Sequence, residues 1–95
     1  MFKSSLTLTA KDLYGIIYYL TSKEPDYDEC LDIIKALKAK VYVRNRYYIV
    51  TDTLEVWDYI VRNFSSVLNK RKLTSIEEVI NNAADWCSRY GIGLT

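Results

Sequence analysis

From Ala10 onward, the spacing of apolar residues changes twice along this 95-residue chain, and those changes limit the architectures open to it. Between Ala10 and Ala39 the apolar residues recur every three or four positions, the period of a helix burying one face. Over Lys40 to Val50, K-V-Y-V-R-N-R-Y-Y-I-V, they alternate, and beyond Asp52 the helical period returns. An extended pair between helices predicts an α+β fold in the order strand, two helices, β-hairpin, two C-terminal helices. A chain of this length buries one core, so residues 1–95 are expected to form a single domain.

Leu6 and Leu8 alternate with Ser5, Thr7 and Thr9, which predicts a short first strand. Thr9 followed by Asp12 three positions later marks a capped helix start, and the helix is expected over Ala10 to Ser22. Its inward stripe is Leu13, Ile16, Ile17 and Leu20, widened to one side by Tyr14 and Tyr18. An arc this broad implies contact with more than one element, or with a partner. Pro25 disfavours helical geometry at Glu24, and Asp26 with Glu29 opens a second helix to about Ala39. Leu31, Ile34 and Leu37, with Cys30 and Ile33, form its apolar face.

In the hairpin, a three-residue loop Arg44-Asn45-Arg46 sets Val43 opposite Tyr47 and Val41 opposite Ile49, placing four apolar residues on one side. Tyr42 and Tyr48 then pair on the other side. A two-residue loop would set Arg46 opposite Val43, a poorer hydrophobic match. Asp52 with Glu55 begins a third helix, Thr53 to Asn69, with Trp57, Ile60, Val61, Phe64 and Leu68 inward. Thr74 with Glu77, or Ser75 with Glu78, caps a fourth helix that buries Ile76, Val79, Ile80, Ala83 and Cys87. It ends near Tyr90, with Gly91 at a left-handed stop.

Thirteen basic and twelve acidic residues leave a net charge of +1, so any electrostatic role depends on local segregation. Glu24, Asp26, Asp28, Glu29 and Asp32 stand without an intervening base. Lys35, Lys38, Lys40, Arg44 and Arg46 stand without an acid, and Lys70-Arg71-Lys72 follows later. Acids at the start of the second helix and lysines at its end also suit the helix dipole.

The composition argues against catalysis. There is no histidine to act as a base near neutral pH, no activated nucleophile and no glycine-rich phosphate loop, so the protein is expected not to be an enzyme and to need no cofactor. Cys30 and Cys87 lack the spacing of a redox or zinc motif and suit small core positions. A disulfide between them is the alternative in a thermophilic host. The lack of His and Gln and the single Met point toward such a host, while Asn45, Asn63, Asn69, Asn81 and Asn82 point away. No stretch has the apolar length of a membrane span, and the first residues lack a secretory pattern, so the expected location is intracellular and cytoplasmic.

The order of elements from Ser5 to about Val50 resembles the core of a winged-helix domain. In that family the hairpin is the wing, the helix before it is the recognition helix, and added helices often form a dimer surface. The composition also resembles that of small proteins of crenarchaeal viruses, which implies the host cytoplasm. The resemblance implies a non-catalytic DNA- or RNA-binding protein, such as a regulator, that contacts the backbone or minor groove through Arg44, Asn45 and Arg46 at the wing tip. Lys35, Lys38, Lys40, Lys70, Arg71 and Lys72 would lie on the backbone, and Tyr42 and Tyr48 would stack on bases. One departure is the acidic start of the second helix, which phosphate would repel. The competing expectation is a protein-interaction module that forms a homodimer or binds and blocks a host protein. Nine tyrosines, the wide arc of the first helix and the separation of charge support it.

Overall fold

The computed structural model describes residues 7–37, 41–43, 46–48 and 50–91. Strand β1 (Thr7–Thr9) runs directly into helix α1 (Ala10–Thr21). Helix α2 (Tyr27–Ala36) is followed by strands β2 (Val41–Val43), β3 (Arg46–Tyr48) and β4 (Val50–Asp52). Helices α3 (Thr53–Arg71) and α4 (Ile76–Arg89) complete the described chain.

The expected α+β, winged-helix-like core is not what the chain forms; the fold is mainly helical. Four helices of 12, 10, 19 and 14 residues carry it, whereas each described strand has three residues. A wing needs a hairpin joined to the first strand in one sheet. Here β1 pairs antiparallel with β4, and β2 pairs separately with β3. The alternation read as one long strand pair is divided between two ladders of three-residue strands.

The register differs as well. Val43 pairs with Arg46, Tyr42 with Tyr47 and Val41 with Tyr48. The expected Tyr42–Tyr48 and Val43–Tyr47 pairs are therefore absent, and the expected Val41–Ile49 pair involves Ile49, which lies outside the described residues. Apolar alternation fits more than one alignment of a hairpin and does not by itself select the register. In the other ladder, Thr7 pairs with Asp52 and Thr9 with Val50. Because the strands are antiparallel and each leads straight into a helix, α1 and α3 leave from opposite ends of this ladder.

Local chemistry accounts for the helix boundaries. The Thr9 hydroxyl accepts the Asp12 amide at 3.2 Å, and the Asp12 carboxylate accepts the Thr9 amide at 2.9 Å, closing the expected capping box. Asp26 caps α2 by accepting the Asp28 amide at 2.9 Å, and the helix ends at Ala36 rather than Ala39. For α4, Ser75 accepts the Glu78 amide, and Glu78 reaches back to the Thr74 amide at 2.7 Å. These bonds hold the Glu78 carboxyl below its ordinary range, with the Thr74 amide contributing most. The chain leaves α4 through Gly91 at φ +73°, the expected left-handed stop.

Helix α3 extends past Asn69 and closes with Lys72 in the left-handed region. The Lys72 amide donates to Asn69 and the Leu73 amide to Leu68, the paired closure usually built on glycine. Phe64 interrupts this helix at φ −131°, ψ 28°. In the turn before it, the Asn63 amide takes the Tyr59 carbonyl at 2.8 Å and Arg62 reaches the Asp58 carbonyl, drawing acceptors away from the helical ladder.

All four helices contribute to the core, and α1 lies against both α2 and α4. Leu13, Ile16 and Leu20 of α1 meet Cys30 and Ile34 of α2, Val56, Ile60 and Leu68 of α3, and Val79 and Ala83 of α4 within one cluster. The buried stripe of α3 is rotated from the expected one. Val56 is wholly buried, Trp57 and Phe64 are half-buried, and Val61 is 39% exposed. Truncating Val56 to Ala should therefore cost about 2 kcal/mol through lost burial and a cavity, against less than about 0.5 kcal/mol for Val61→Ala, as measured by urea unfolding. At the α3 terminus, Lys72→Gly should raise stability by about 0.5 kcal/mol in the same assay, because glycine removes the steric cost of positive φ.

Candidate interaction surface

Helices α1 and α4 approach each other across small residues. Gly15, Ala83 and Cys87 are all buried, and the Cys87 thiol donates to the Gly15 carbonyl at 3.8 Å. Larger side chains cannot share so close a seam, so the aromatics of these helices lie along its outer side. Trp86 meets Tyr18 with ring centroids 5.3 Å apart, Tyr19 at 6.0 Å and Tyr90 at 5.1 Å. Tyr14 extends the group, edge-on to Tyr18 at 5.9 Å. Tilted and edge-to-face geometry is what the charge distribution of aromatic rings favours. Tyr14, Tyr18, Tyr19 and Trp86 are half-buried, while Tyr90 is 65% exposed.

Opposite charges stand at the two ends of this strip. The Tyr14 hydroxyl donates to Glu24 at 2.8 Å, and the same region opens into a cleft of about 480 Å³ lined by Lys11, Tyr14, Glu24, Pro25, Asp26 and Tyr27. Asp28, Glu29 and Asp32 are exposed on the adjoining α2. At the other end, the Arg71 guanidinium lies 4.7 Å from the centre of the Tyr19 ring and donates to the Tyr19 carbonyl at 3.0 Å. Lys70 and Lys72 flank it, both exposed. Contacts thus run from Glu24 through Tyr14, Tyr18, Trp86 and Tyr19 to Arg71.

The strip includes few of the residues expected to bind nucleic acid. Lys35 is exposed in the last turn of α2, and Lys70, Arg71 and Lys72 are exposed at the end of α3. Tyr42, Arg46 and Tyr48 belong to β2 and β3, while Lys38, Lys40, Arg44 and Asn45 lie outside the described residues. Trp86, Tyr90 and Tyr19 were not expected at a site. The four-residue spacings Tyr14–Tyr18 and Trp86–Tyr90 are the visible sequence signal, but only helix packing sets Trp86 against Tyr18 and Tyr19. The wide arc of α1 is accounted for in part by α2 and α4 and in part by this outer strip.

The titratable groups show little sign of reactivity. Burial pushes the Cys30 thiol up to about 11, with the charges of Glu29 and Asp26 adding to the effect, and burial raises Cys87 as well. Both thiols are free and buried, so the expected core role holds and the disulfide alternative does not. Among the described residues no group of three or more His, Cys, Asp or Glu could hold a metal ion, and no helix is long and apolar enough to cross a membrane. No protein-family model, curated protein or solved structure matches this chain.

The hydrogen bond to Glu24, followed by desolvation and the Glu24 charge, lifts the Tyr14 phenol to about 12. The folded protein therefore holds this proton more tightly than the unfolded chain. Its contribution to stability is complete below pH about 10 and is lost as pH rises toward 12. Glu24→Ala should return Tyr14 toward about 10, read from its ring-carbon resonance in an NMR titration. Both cysteines should resist a thiol reagent such as dithionitrobenzoate in the native protein at pH 7.5, and both should react at once in denaturant.

Proposed function

We propose that this chain is a non-catalytic protein-interaction module whose contact surface is the aromatic strip of α1 and α4. The observation that carries this reading is the outer row of Tyr14, Tyr18, Trp86 and Tyr90, continuous by ring contact and open to solvent at Tyr90. Tyr and Trp are the residues by which protein interfaces most often gain affinity, because they offer large contact areas at small conformational cost. These rings are already ordered against one another, so a partner would meet a surface with little entropy left to lose.

Nucleic-acid binding receives less support. The rings meet one another edge-on or tilted, whereas a single-strand platform offers ring faces to bases. Arg71, though exposed, is engaged with Tyr19, which leaves Lys70 and Lys72 as the other exposed cations of that cluster.

The reading is tested by placing the photo-crosslinker benzoylphenylalanine at Tyr90, with Ala84 on another side of α4 as the control position. Irradiation in concentrated solution and in cells should give polypeptide adducts from position 90 and few from position 84. The proposal fails if position 90 yields no polypeptide adduct, or if the protein retards duplex or single-stranded DNA at low salt and Lys70→Ala with Lys72→Ala abolishes that retardation.

A further inference from the structure

The two ends of the strip differ in charge, and that difference identifies what it binds. Around Glu24 the surface is acidic, with Asp26 in the cleft and Asp28 exposed beside it. Around Tyr19 it is basic, with Lys70, Arg71 and Lys72. A surface that is acidic at one end, aromatic in the middle and basic at the other is complementary to itself after a half-turn. The basic end of one copy then lies over the acidic end of the other, and the aromatic middles meet across the two-fold axis. We infer that the occupant of this strip is a second copy of the same chain, seated as a two-fold dimer in which Lys70 and Lys72 of each copy enter the acidic cleft of the other.

Several features favour this occupant over an unrelated protein. The chain carries a net charge of only +1, so two copies approach without appreciable overall repulsion, and the segregated ends steer them into one orientation. The acidic cleft already joins the aromatic row, because Tyr14 both lines it and contacts Tyr18. A lysine entering it therefore stays continuous with the ring contacts. The cleft, about 480 Å³, has room for such a side chain, and among the described residues that line it Glu24 and Asp26 outnumber the one cation, Lys11. Lys70 and Lys72 are exposed beside Arg71, where a partner copy can reach them. Tyr90, 65% exposed and in ring contact with Trp86, then offers the partner copy an open aromatic face.

This inference rests on the interaction reading above, and its test separates the two. Analytical ultracentrifugation of the full chain at about 100 µM and low salt should show a dimer that dissociates as salt is raised through the screening range. Reversing the basic end (Lys70→Glu with Lys72→Glu), or the acidic end (Glu24→Lys with Asp28→Lys), should weaken self-association on the order of tenfold or more. Both variants should retain the wild-type circular dichroism spectrum. Mixing the two reversed variants should restore association as a heterodimer, because one then has two acidic ends and the other two basic ends, and both pairs of ends match. Crosslinking from position 90 should give an adduct of twice the chain's 11.1 kDa. A wild-type chain that stays monomeric under these conditions overturns the inference, as does a dimer insensitive to both reversals. If the chain is monomeric but position 90 still crosslinks to a different polypeptide, the second copy is wrong and the interaction reading stands. If position 90 crosslinks to nothing, both fall.

Discussion

The close seam between α1 and α4 is the constraint from which most of this molecule follows. Gly15, Ala83 and Cys87 let the two helices approach until a thiol reaches a backbone carbonyl. At that separation the large side chains on either helix have two destinations. Leu13, Ile16, Leu20 and Val79 go inward to the common cluster, while Tyr18, Tyr19 and Trp86 collect along the outside. One packing choice thus produces both the core and the aromatic surface, and a residue that widened the seam would disturb both.

The second organising feature is the short ladder between β1 and β4. It sets side by side two strands distant in sequence, one leading into α1 and the other into α3, and its Leu8 is part of the core. With α2 and α4 on α1, and with Arg71 of α3 bonded to the Tyr19 carbonyl, α1 is tied to every other helix. Its exposed side is accordingly narrow, and that narrow side is where the tyrosines lie. The exposed ion pairs Asp58–Arg62 and Asp85–Arg89 add only a few tenths of a kcal/mol each and determine none of this.

Local signals in the sequence were legible because they depend on neighbours three or four residues away. The Thr9–Asp12 box, the Asp26 and Ser75 caps, the Gly91 stop and the buried stripe of α4 are of this kind. What was illegible depends on distant partners. The alternation from Val41 to Val50 fitted a single hairpin docked on a core, but nothing local indicated that Val50–Asp52 would pair with Thr7–Thr9 instead. The α3 stripe was misplaced for a related reason. Val56 and Val61 are equally apolar and stand on either side of Ile60, so the arc alone could not settle which edge faced inward; packing against the other helices did. At the candidate site, Tyr14 and Tyr18 could be noticed as a widened arc, but Trp86 is 68 positions from Tyr18 and joins it only in the fold.

The same separation of roles bears on how such a surface would respond to its surroundings. The groups whose proton affinities move most, Cys30 and Tyr14, move away from neutrality, and Glu78 moves below the ordinary carboxylate range. With no histidine in the chain, its charge pattern is nearly constant from about pH 6 to 8. The variable that acts on the strip is therefore ionic strength, which weakens the attraction between exposed ends over roughly 10 Å at 0.1 M salt while leaving apolar ring contacts largely intact. In the proposed dimer, charge would set the orientation and aromatic area would add adhesion. Screening the charged ends would remove the register that brings the rings of two copies together, so alignment and association would weaken together as salt rises.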